Sequence, residues 1–234
     1  ADYRMYAGKP VVIKPKSTNF GLGITILKHN YDETDFKGAL QIAFEHDNTL
    51  LIEKFIPGRE FRIFIINDEV VGILHRVPAN VTGDGVLNIG QLIDRKNEDP
   101  LRGKGYRTPL EKIRKGREEE MFLKQQGMDF NTVPKEGEVV YLRENSNIST
   151  GGDSIDFTDD IDDSYKAIAV EAAKALNVKI TGLDMMIQDI HAPATPDNYA
   201  IIEMNFNPAI HIHCYPFKGK NRHLNHKMIR ALGF

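Results

Sequence analysis

The sequence holds a single cysteine, Cys214, among its 234 residues. One thiol cannot form an internal disulfide, so we expect a protein of a reducing compartment, the cytoplasm. Long apolar runs are missing as well. No segment approaches the length of a membrane span, and the start lacks the basic region and apolar stretch of a signal peptide. We therefore expect no membrane partner.

A large excess of one charge is also absent. Thirty Lys and Arg residues stand against 33 Asp and Glu, which gives a net charge of −3. A nucleic-acid binder needs a basic face that displaces counterions, so we expect no nucleic-acid partner. The content of 41% hydrophobic and 27% charged residues is typical of a globular chain. Because the chain starts with Ala1 rather than Met, and a predicted strand follows closely, we interpret it as a piece of a longer polypeptide.

Apolar periodicity predicts alternating strands and helices. The predicted strands are 10–15, 24–27, 49–56, 59–66, 70–77, 138–143, 182–190 and 199–206, and the predicted helices are 35–46, capped by Asp35, 89–96, 110–126, 163–176 and 224–232. Turn residues at 57–58 and 67–69 predict a hairpin on each side of the strand 59–66. The polar, charged stretch 78–137 is interpreted as an insertion.

The first candidate site follows the first strand. Lys14 is the only charge in that strand, and a loop of small residues comes directly after it. A cation beside flexible backbone amides is what polyphosphate binding requires, although a strand that ends in solvent fits the same pattern. The loop is not a Walker A sequence, because no Gly-Lys-Ser/Thr closes it. Its candidate ligands are Ser17, Thr18, Asn19, Gly21 and Gly23.

A second candidate site surrounds the turn at 57–58. Glu53 interrupts an apolar strand, and Glu60 stands just past the turn. A strand edge followed by a carboxylate could bond a purine through the backbone and accept from ribose hydroxyls. The alternative is two strands with charges facing solvent. The backbone candidates are Glu53, Lys54, Phe55 and Ile56.

The strongest local pattern lies near the end. Glu203 and Asn205 are two residues apart, so they share one face of a predicted strand. Asp184 lies in the strand that should pair with it. Two carboxylates and an amide oxygen suit Mg²⁺. An exposed sheet face is the alternative, and a zinc site at His211, His213 and Cys214 is disfavoured because no second ligand pair lies nearby.

A further loop combines one guanidinium with small residues. Arg143 precedes the run 149–152, and a guanidinium with bare backbone amides suits a carboxylate or an acyl phosphate. A plain loop fits the pattern equally well.

In this order, the strand-borne lysine, small-residue loop, Glu-x-Phe hinge and metal strands resemble the ATP-grasp superfamily over almost the whole chain. Within it, several stretches look like the ATP-grasp module of bacterial bifunctional γ-glutamate–cysteine ligase/glutathione synthetases. Those stretches are VVIKPKSTNFGLGI, LHRVPANVTGDG, DPLRGKGYRTPLEKI, YLRENSNISTGGDSID and APATPDNYAIIEMNFNPAIHIHCYPFKGK.

The resemblance implies an α+β ATP-grasp fold, with two subdomains whose antiparallel sheets grip ATP and with the N-terminal subdomain missing. Residues 1–56 would form the small subdomain with the phosphate loop and hinge. Residues 57–234 would form the C-terminal subdomain, with its insertion at about 78–137.

The resemblance also implies a role for each candidate residue. Lys14 would hold the ATP α/β-phosphates, the loop 17–23 would cover the β/γ-phosphates, backbone groups of 53–56 would face adenine, and Glu60 would face ribose. Arg143 would act on the acyl phosphate. Mg²⁺ or Mn²⁺ would lie on Asp184, Glu203 and Asn205, and substrate would meet Arg76, Asn147, Ser149, Gly151 and Gly152.

The implied reaction makes glutathione from γ-glutamylcysteine and glycine, with ATP converted to ADP and phosphate through an acyl phosphate, in a homodimer when full-length. A cyanophycin-synthetase-like ligase is similar through the same insertion and loop. Since the family's earlier phosphate-binding lysine lies upstream of this start, a nucleotide-binding fragment without turnover is a further alternative. A plain α+β interaction domain would make these motifs coincidental.

Overall fold

The computed structural model describes residues 2–18, 22–28 and 30–234. The chain divides into two compact units, one ending at Pro57 and the other starting at Gly58. No helix in the described part of the chain is long and apolar enough to cross a membrane.

The first unit is a three-stranded antiparallel sheet with one helix. Its elements are β1 (Val11–Pro15), β2 (Thr25–Leu27), α1 (Glu33–Phe44) and β3 (Leu50–Lys54), and the strand order is β2-β1-β3. Alternation in β1 turns Val11 and Ile13 toward the apolar side of α1, where Phe36 is 1% exposed. The helix begins two residues earlier than predicted. Asp32 is its N-cap, and Asp35 completes the capping box three positions later.

The second unit contains the remaining elements. Its strands are β4 (Arg59–Ile66), β5 (Glu69–Val77), β6 (Asn80–Thr82), β7 (Arg102–Gly103), β8 (Leu110–Glu111), β9 (Val139–Tyr141), β10 (Asp153–Asp156), β11 (Ile180–Ile187) and β12 (Tyr199–Asn205). Its helices are α2 (Ile89–Lys96), α3 (Arg117–Gln125), α4 (Asp163–Ala175), α5 (His211–Cys214) and α6 (Leu224–Ala231). Five strands form one antiparallel sheet in the order β10-β5-β4-β11-β12.

The central strand β4 is buried on both faces. Phe61, Ile63 and Ile65 pack with residues of α4 on one face. Phe64 packs with Leu224 of α6 on the other face. Since side chains alternate along a strand, the even-numbered residues of β4 lie on the face opposite α4.

The stretch 79–142 has an apolar core of its own. Val81 of β6 and Val140 of β9 pack with buried residues of α2 and with Leu123 of α3. The helix 89–96 is confirmed as α2. We call residues 79–142 the insertion.

Two sequence predictions are wrong here. The helix predicted for 110–126 begins only at Arg117, because residues 110–111 pair with β7 and Gly116 then starts the helix as N-cap. The hairpin predicted around 57–58 does not form, since β3 pairs with β1 and β4 lies in the other sheet. The hairpin β4–β5 is confirmed, and its turn residues Asn67 and Asp68 both have positive φ, as a type I′ turn requires.

Candidate functional site

Lys14 lies on the face of β1 away from the core of the first unit. The neighbours Val11, Ile13 and Pro15 are buried, whereas the Lys14 side chain is 22% exposed. Its Nζ lies 2.7 Å from Oε2 of Glu53, on the adjacent strand β3. The structure therefore brings together two of the predicted site residues.

Hydrogen bonds hold the first residues of the loop after β1 in place. The Ser17 amide donates to Oδ2 of Asp47 (2.8 Å), and the Thr18 hydroxyl donates to the carbonyl of Leu22 (3.0 Å). Gly23 has φ +75°, and a Cβ there would lie 2.7 Å from the Pro15 ring, so a glycine is required. The candidates Asn19 and Gly21 lie outside the described residues.

The strand β3 is an edge of its sheet, since it pairs with β1 on one side only. One row of its backbone groups, including those of Lys54, thus has no strand partner among the described residues, whereas Glu53 is paired with Val12 of β1. The Phe55 amide donates to the carbonyl of Pro10 (3.0 Å), and Ile56 is half-buried. A planar ring with donor and acceptor edges is a suitable occupant of such an edge.

In the second unit, polar side chains gather on the sheet face opposite α4. Arg62 of β4 is registered opposite Asp184 of β11, and Asp184 is registered opposite Glu203 of β12. Asp184 is 2% exposed. Arg62 donates to both of its carboxylate oxygens, with Nη2–Oδ2 at 2.8 Å, and Nη2 of Arg76 adds a third bond at 3.0 Å.

The two arginines decide the charge of Asp184. Burial by itself raises the pKa of this carboxyl, but the hydrogen bond from Arg62 and the positive charges of Arg76 and Arg62 outweigh it, so the pKa lies below its usual value. Asp184 is therefore a buried carboxylate, held ionised by two cations.

The predicted metal ligands share this face. Asn205 Nδ2 donates to Oε1 of Glu203 (3.0 Å), and Asn205 Oδ1 accepts no hydrogen bond from the residues that the structure describes. The described residues contain no group of three His, Cys, Asp or Glu that could hold a metal. The donor set of two carboxylates and one amide oxygen nevertheless fits a hard cation such as Mg²⁺ or Mn²⁺ in chemical type.

Glu60 and Arg76 belong to the same cluster of charged side chains as Asp184. Arg76 forms an ion pair with Glu60 and thereby links it to Asp184. The hydroxyl of Ser146 donates to Oε2 of Glu60 (2.5 Å), and Nδ1 of His75 lies 2.9 Å from the Glu60 carbonyl. The Arg76 Nε is buried and has no hydrogen-bond partner among the described residues.

Arg143 pairs with the insertion. Its Nε donates to Oε1 of Glu119 (2.6 Å), and its Nη2 forms an ion pair with Glu118. Glu119 is 1% exposed, and its other oxygen accepts from the Gly116 amide at the start of α3. The Arg143 charge is therefore largely balanced in this structure.

The residues 147–152, which we call the glycine loop, correct one expectation. The amides of Thr150 and Gly152 donate to the Asn147 carbonyl, and the Gly151 amide donates to that of Ile148, so these amides are not bare. Gly151 has φ +94°, and Ser149 lies in the turn between. An anion could use these amides only if the loop changed its own hydrogen bonds.

Sequence reasoning missed Arg62 and Ser146. A signal for Arg62 was available, because an arginine two residues after Glu60 in an apolar strand lies on the same face as that carboxylate. Ser146 carried no local signal, since its partner Glu60 is 86 positions away.

Comparison with known proteins identifies a family, curated relatives and a solved structure to which the chain is similar. The family described as "D-ala D-ala ligase C-terminus" matches residues 3–88. The glutathione biosynthesis bifunctional protein GshAB of Desulfotalea psychrophila is 63% identical over all of this chain, and that of Clostridium perfringens is 57% identical over 99% of it. A crystal structure of a bifunctional glutathione synthetase from Pasteurella multocida superposes with a TM-score of 0.74 at 46% identity over 98% of the chain. The chain has the ATP-grasp fold, and the proteins that it resembles are ATP-grasp ligases.

The ATP-grasp assignment confirms the expected α+β fold. The ATP-grasp ligases that the chain resembles use ATP. The chain spans about 30% of the length of the curated relatives and 31% of the Pasteurella multocida chain.

Proposed function

We propose that this ATP-grasp chain is the glutathione-forming module of a larger cytoplasmic enzyme, which joins γ-glutamylcysteine to glycine and converts ATP to ADP and phosphate. The observation that carries the proposal is the 63% identity over the whole chain to a glutathione biosynthesis bifunctional protein. The assignment of roles below rests on the contacts within each unit.

The first unit, residues 1–57, is assigned to the nucleotide. Lys14 binds the α/β-phosphates, the loop 17–23 covers the β/γ-phosphates, and backbone groups of 53–56 at the edge of the sheet meet adenine. Lys14 can exchange Glu53 for phosphate at little cost, because an exposed ion pair contributes at most about 1 kcal/mol. The polyphosphate as a whole also carries more negative charge than the single carboxylate of Glu53, and a charged hydrogen bond to it is strong.

The second unit, residues 58–234, is assigned to the metal and the peptide. Asp184, Glu203 and Asn205 would hold Mg²⁺ or Mn²⁺, and Glu60 would accept from ribose hydroxyls. When bound, this cation would neutralise negative charge on the phosphates during phosphoryl transfer. Arg62 and Arg76 keep Asp184 ionised and therefore ready to bind a cation.

The reaction has two displacements. An oxygen of the cysteinyl carboxylate of γ-glutamylcysteine bonds to the γ-phosphorus, and the bond from that phosphorus to the bridging oxygen breaks, which releases ADP. The glycine amine then bonds to the acyl carbon, loses a proton, and displaces phosphate. No protein nucleophile is needed, so catalysis consists of positioning and charge stabilisation. Cys214 has no covalent role; it is buried in the apolar cluster with Phe64 and Leu224.

Arg143 is assigned to charge on the transferring phosphoryl group. Arg76 and the glycine loop, with Asn147, Ser149, Gly151 and Gly152, are assigned to the carboxylate end of the peptide. In this scheme Arg143 exchanges part of its pairing with Glu118, whose side chain is 69% exposed, for the phosphoryl oxygens. Glu119 stays as the buried partner that aims the guanidinium.

The experiment is an ADP-release assay on the longest native polypeptide that contains this chain. Mg-ATP is supplied with γ-glutamylcysteine, with glycine, with both, or with an aspartate polymer plus arginine. Release that needs γ-glutamylcysteine and glycine together supports the proposal. Release only with the polymer would assign a cyanophycin-type ligase instead, and nucleotide binding without release in any mixture would assign a binding module.

A further inference from the structure

The insertion contacts both the glycine loop and the residues just before it. Before the loop, Arg143 donates to Glu119 of α3. In the loop itself, the carbonyl of Gly151 accepts from Nη1 of Arg102, in β7 (3.0 Å). The carbonyl of Gly151 therefore takes its position from a side chain that lies 49 positions earlier in the chain.

Arg102 is built into a closed set of contacts. The residue is 4% exposed, and its Nη1 also donates to the carbonyl of Glu111 in β8 (2.9 Å). Its Nη2 forms an ion pair with Asp153 of β10, and its guanidinium lies 5.5 Å from the centre of the Phe217 ring. One side chain thus joins the insertion, the glycine loop and the edge of the large sheet.

The counter-charge of Arg102 is shared. Oδ2 of Asp153 accepts from Nζ of Lys96 (2.7 Å) and from Nδ2 of Asn80 (3.0 Å), while its other oxygen accepts from Arg102. Such a buried network has a defined geometry, because moving one member leaves a charge without its partner. The network therefore fixes where the Arg102 guanidinium can lie.

Gly151 is confined from a second direction. A Cβ on Gly151 would lie 2.8 Å from the Cα of Ile113, which lies two residues beyond the end of β8. The backbone of the glycine loop thus packs directly on the backbone of the insertion. Arg102 donates to the carbonyl of Gly151, whereas the Gly151 amide donates to the carbonyl of Ile148 within the loop.

We propose that Arg102 is a positioning residue for the peptide substrate: it sets the geometry of the glycine loop from inside the insertion without touching the substrate. The inference rests on the proposed function, which assigns the glycine loop to γ-glutamylcysteine. The insertion thus contributes to the selection of the carboxylate substrate and not to the binding of the nucleotide.

The test uses Arg102→Lys, which keeps a positive charge beside Asp153 but cannot reach all of the Arg102 acceptors at once. The matched control is Arg95→Met, which removes an exposed arginine of the same insertion. We expect Arg102→Lys to raise the KM for γ-glutamylcysteine by about tenfold, since one charge-assisted hydrogen bond is lost. The KM for ATP should stay within about twofold, and Arg95→Met should change neither.

A second readout does not depend on turnover. Hydrogen exchange of the Gly151 and Gly152 amides should be faster in Arg102→Lys than in the wild type, while exchange in the core of β4 is unchanged. Unchanged loop exchange would overturn the inference, and so would an equal rise in the KM for ATP and for the peptide. If the loop loosens but the wild type shows no turnover with γ-glutamylcysteine, the positioning role stands and the assigned substrate fails.

Discussion

Arg62 and Asp184 face each other across β4 and β11, and the arginine holds both oxygens of the buried carboxylate. Their pairing makes an ionised acid stable inside the sheet, next to the strand that carries Glu203. The Asp184 carboxylate is therefore already ionised before a cation binds. A neutral or displaced Asp184 would bind a divalent cation far less well.

Replacing Arg62 should destabilise the second unit. In Arg62→Met the Asp184 carboxylate keeps only Arg76, and we expect a loss of about 3 kcal/mol in the free energy of unfolding, measured by urea titration. The double variant Arg62→Met/Asp184→Asn should recover part of the loss, because the buried carboxylate is then uncharged, while Arg76 keeps its ion pair with Glu60. Additive losses in the double variant would show that the two side chains do not interact.

Replacing Lys14 should separate binding from stability. In Lys14→Met the exposed pair with Glu53 is lost, so the free energy of unfolding should fall by less than about 1 kcal/mol. The affinity for a non-hydrolysable ATP analogue, measured by calorimetry, should fall at least about tenfold, since a charged hydrogen bond to phosphate is lost. Lys37→Met, which breaks the exposed pair with Glu33, is the control. Equal affinities in both variants would remove Lys14 from the nucleotide site.

Arg143→Ala should lower turnover much more than nucleotide affinity. We expect kcat to fall by about a hundredfold or more, the size typical for the loss of one group that stabilises transition-state charge. The affinity for ATP should change by less than about threefold. Glu119→Gln removes the carboxylate that orients the Arg143 guanidinium but leaves the charge of Arg143 in place, so it should cause a smaller loss of kcat. Matching losses of kcat and of ATP affinity in Arg143→Ala would contradict its assigned role.

His213 should make the fold sensitive to acid. Its ring is fully buried, both ring nitrogens are without a partner among the described residues, and burial, with the charge of Arg62, lowers its pKa from 6.5 to about 3. Only the unfolded chain binds a proton at this ring between those two pH values. The stability present above pH 6.5 is thus lost progressively as the pH falls toward 3.

The variant His213→Leu isolates this effect. When the pH is lowered from about 7.5 to about 5, the free energy of unfolding, measured by urea titration, should fall by about 2 kcal/mol more in the wild type than in the variant. His226→Gln, at an exposed histidine, should behave as the wild type does. A wild type and a His213→Leu variant that weaken in parallel would show that another group causes the acid sensitivity.

Local patterns were sufficient to predict the strands that carry the proposed metal ligands. The predicted strands 182–190 and 199–206 pair as β11 and β12, with Asp184 opposite Glu203. Alternation and β-branched residues predict such strands directly, and a short connection makes them antiparallel neighbours. The placement of these two carboxylates on one face could thus be predicted from the sequence.

The charge partners could not be predicted. Arg62 and Asp184 are 122 positions apart, and Arg102 and Gly151 are 49 apart, so no local pattern links them. The strand β10 was missed because its four residues include two aspartates and show little apolar alternation. The residues 110–111 were assigned to a helix because their apolar spacing fits one, while their pairing with β7 is a tertiary contact.

The most direct test follows oxygen. γ-Glutamylcysteine labelled with ¹⁸O in the cysteinyl carboxylate is incubated with Mg-ATP, glycine and the longest native polypeptide containing this chain, and the phosphate released is analysed by mass spectrometry. If the carboxylate attacks the γ-phosphorus, each phosphate carries one labelled oxygen and the amide keeps the other. Phosphate without label, alongside glutathione and ADP, would contradict an acyl phosphate and the roles assigned here to Arg143 and the glycine loop.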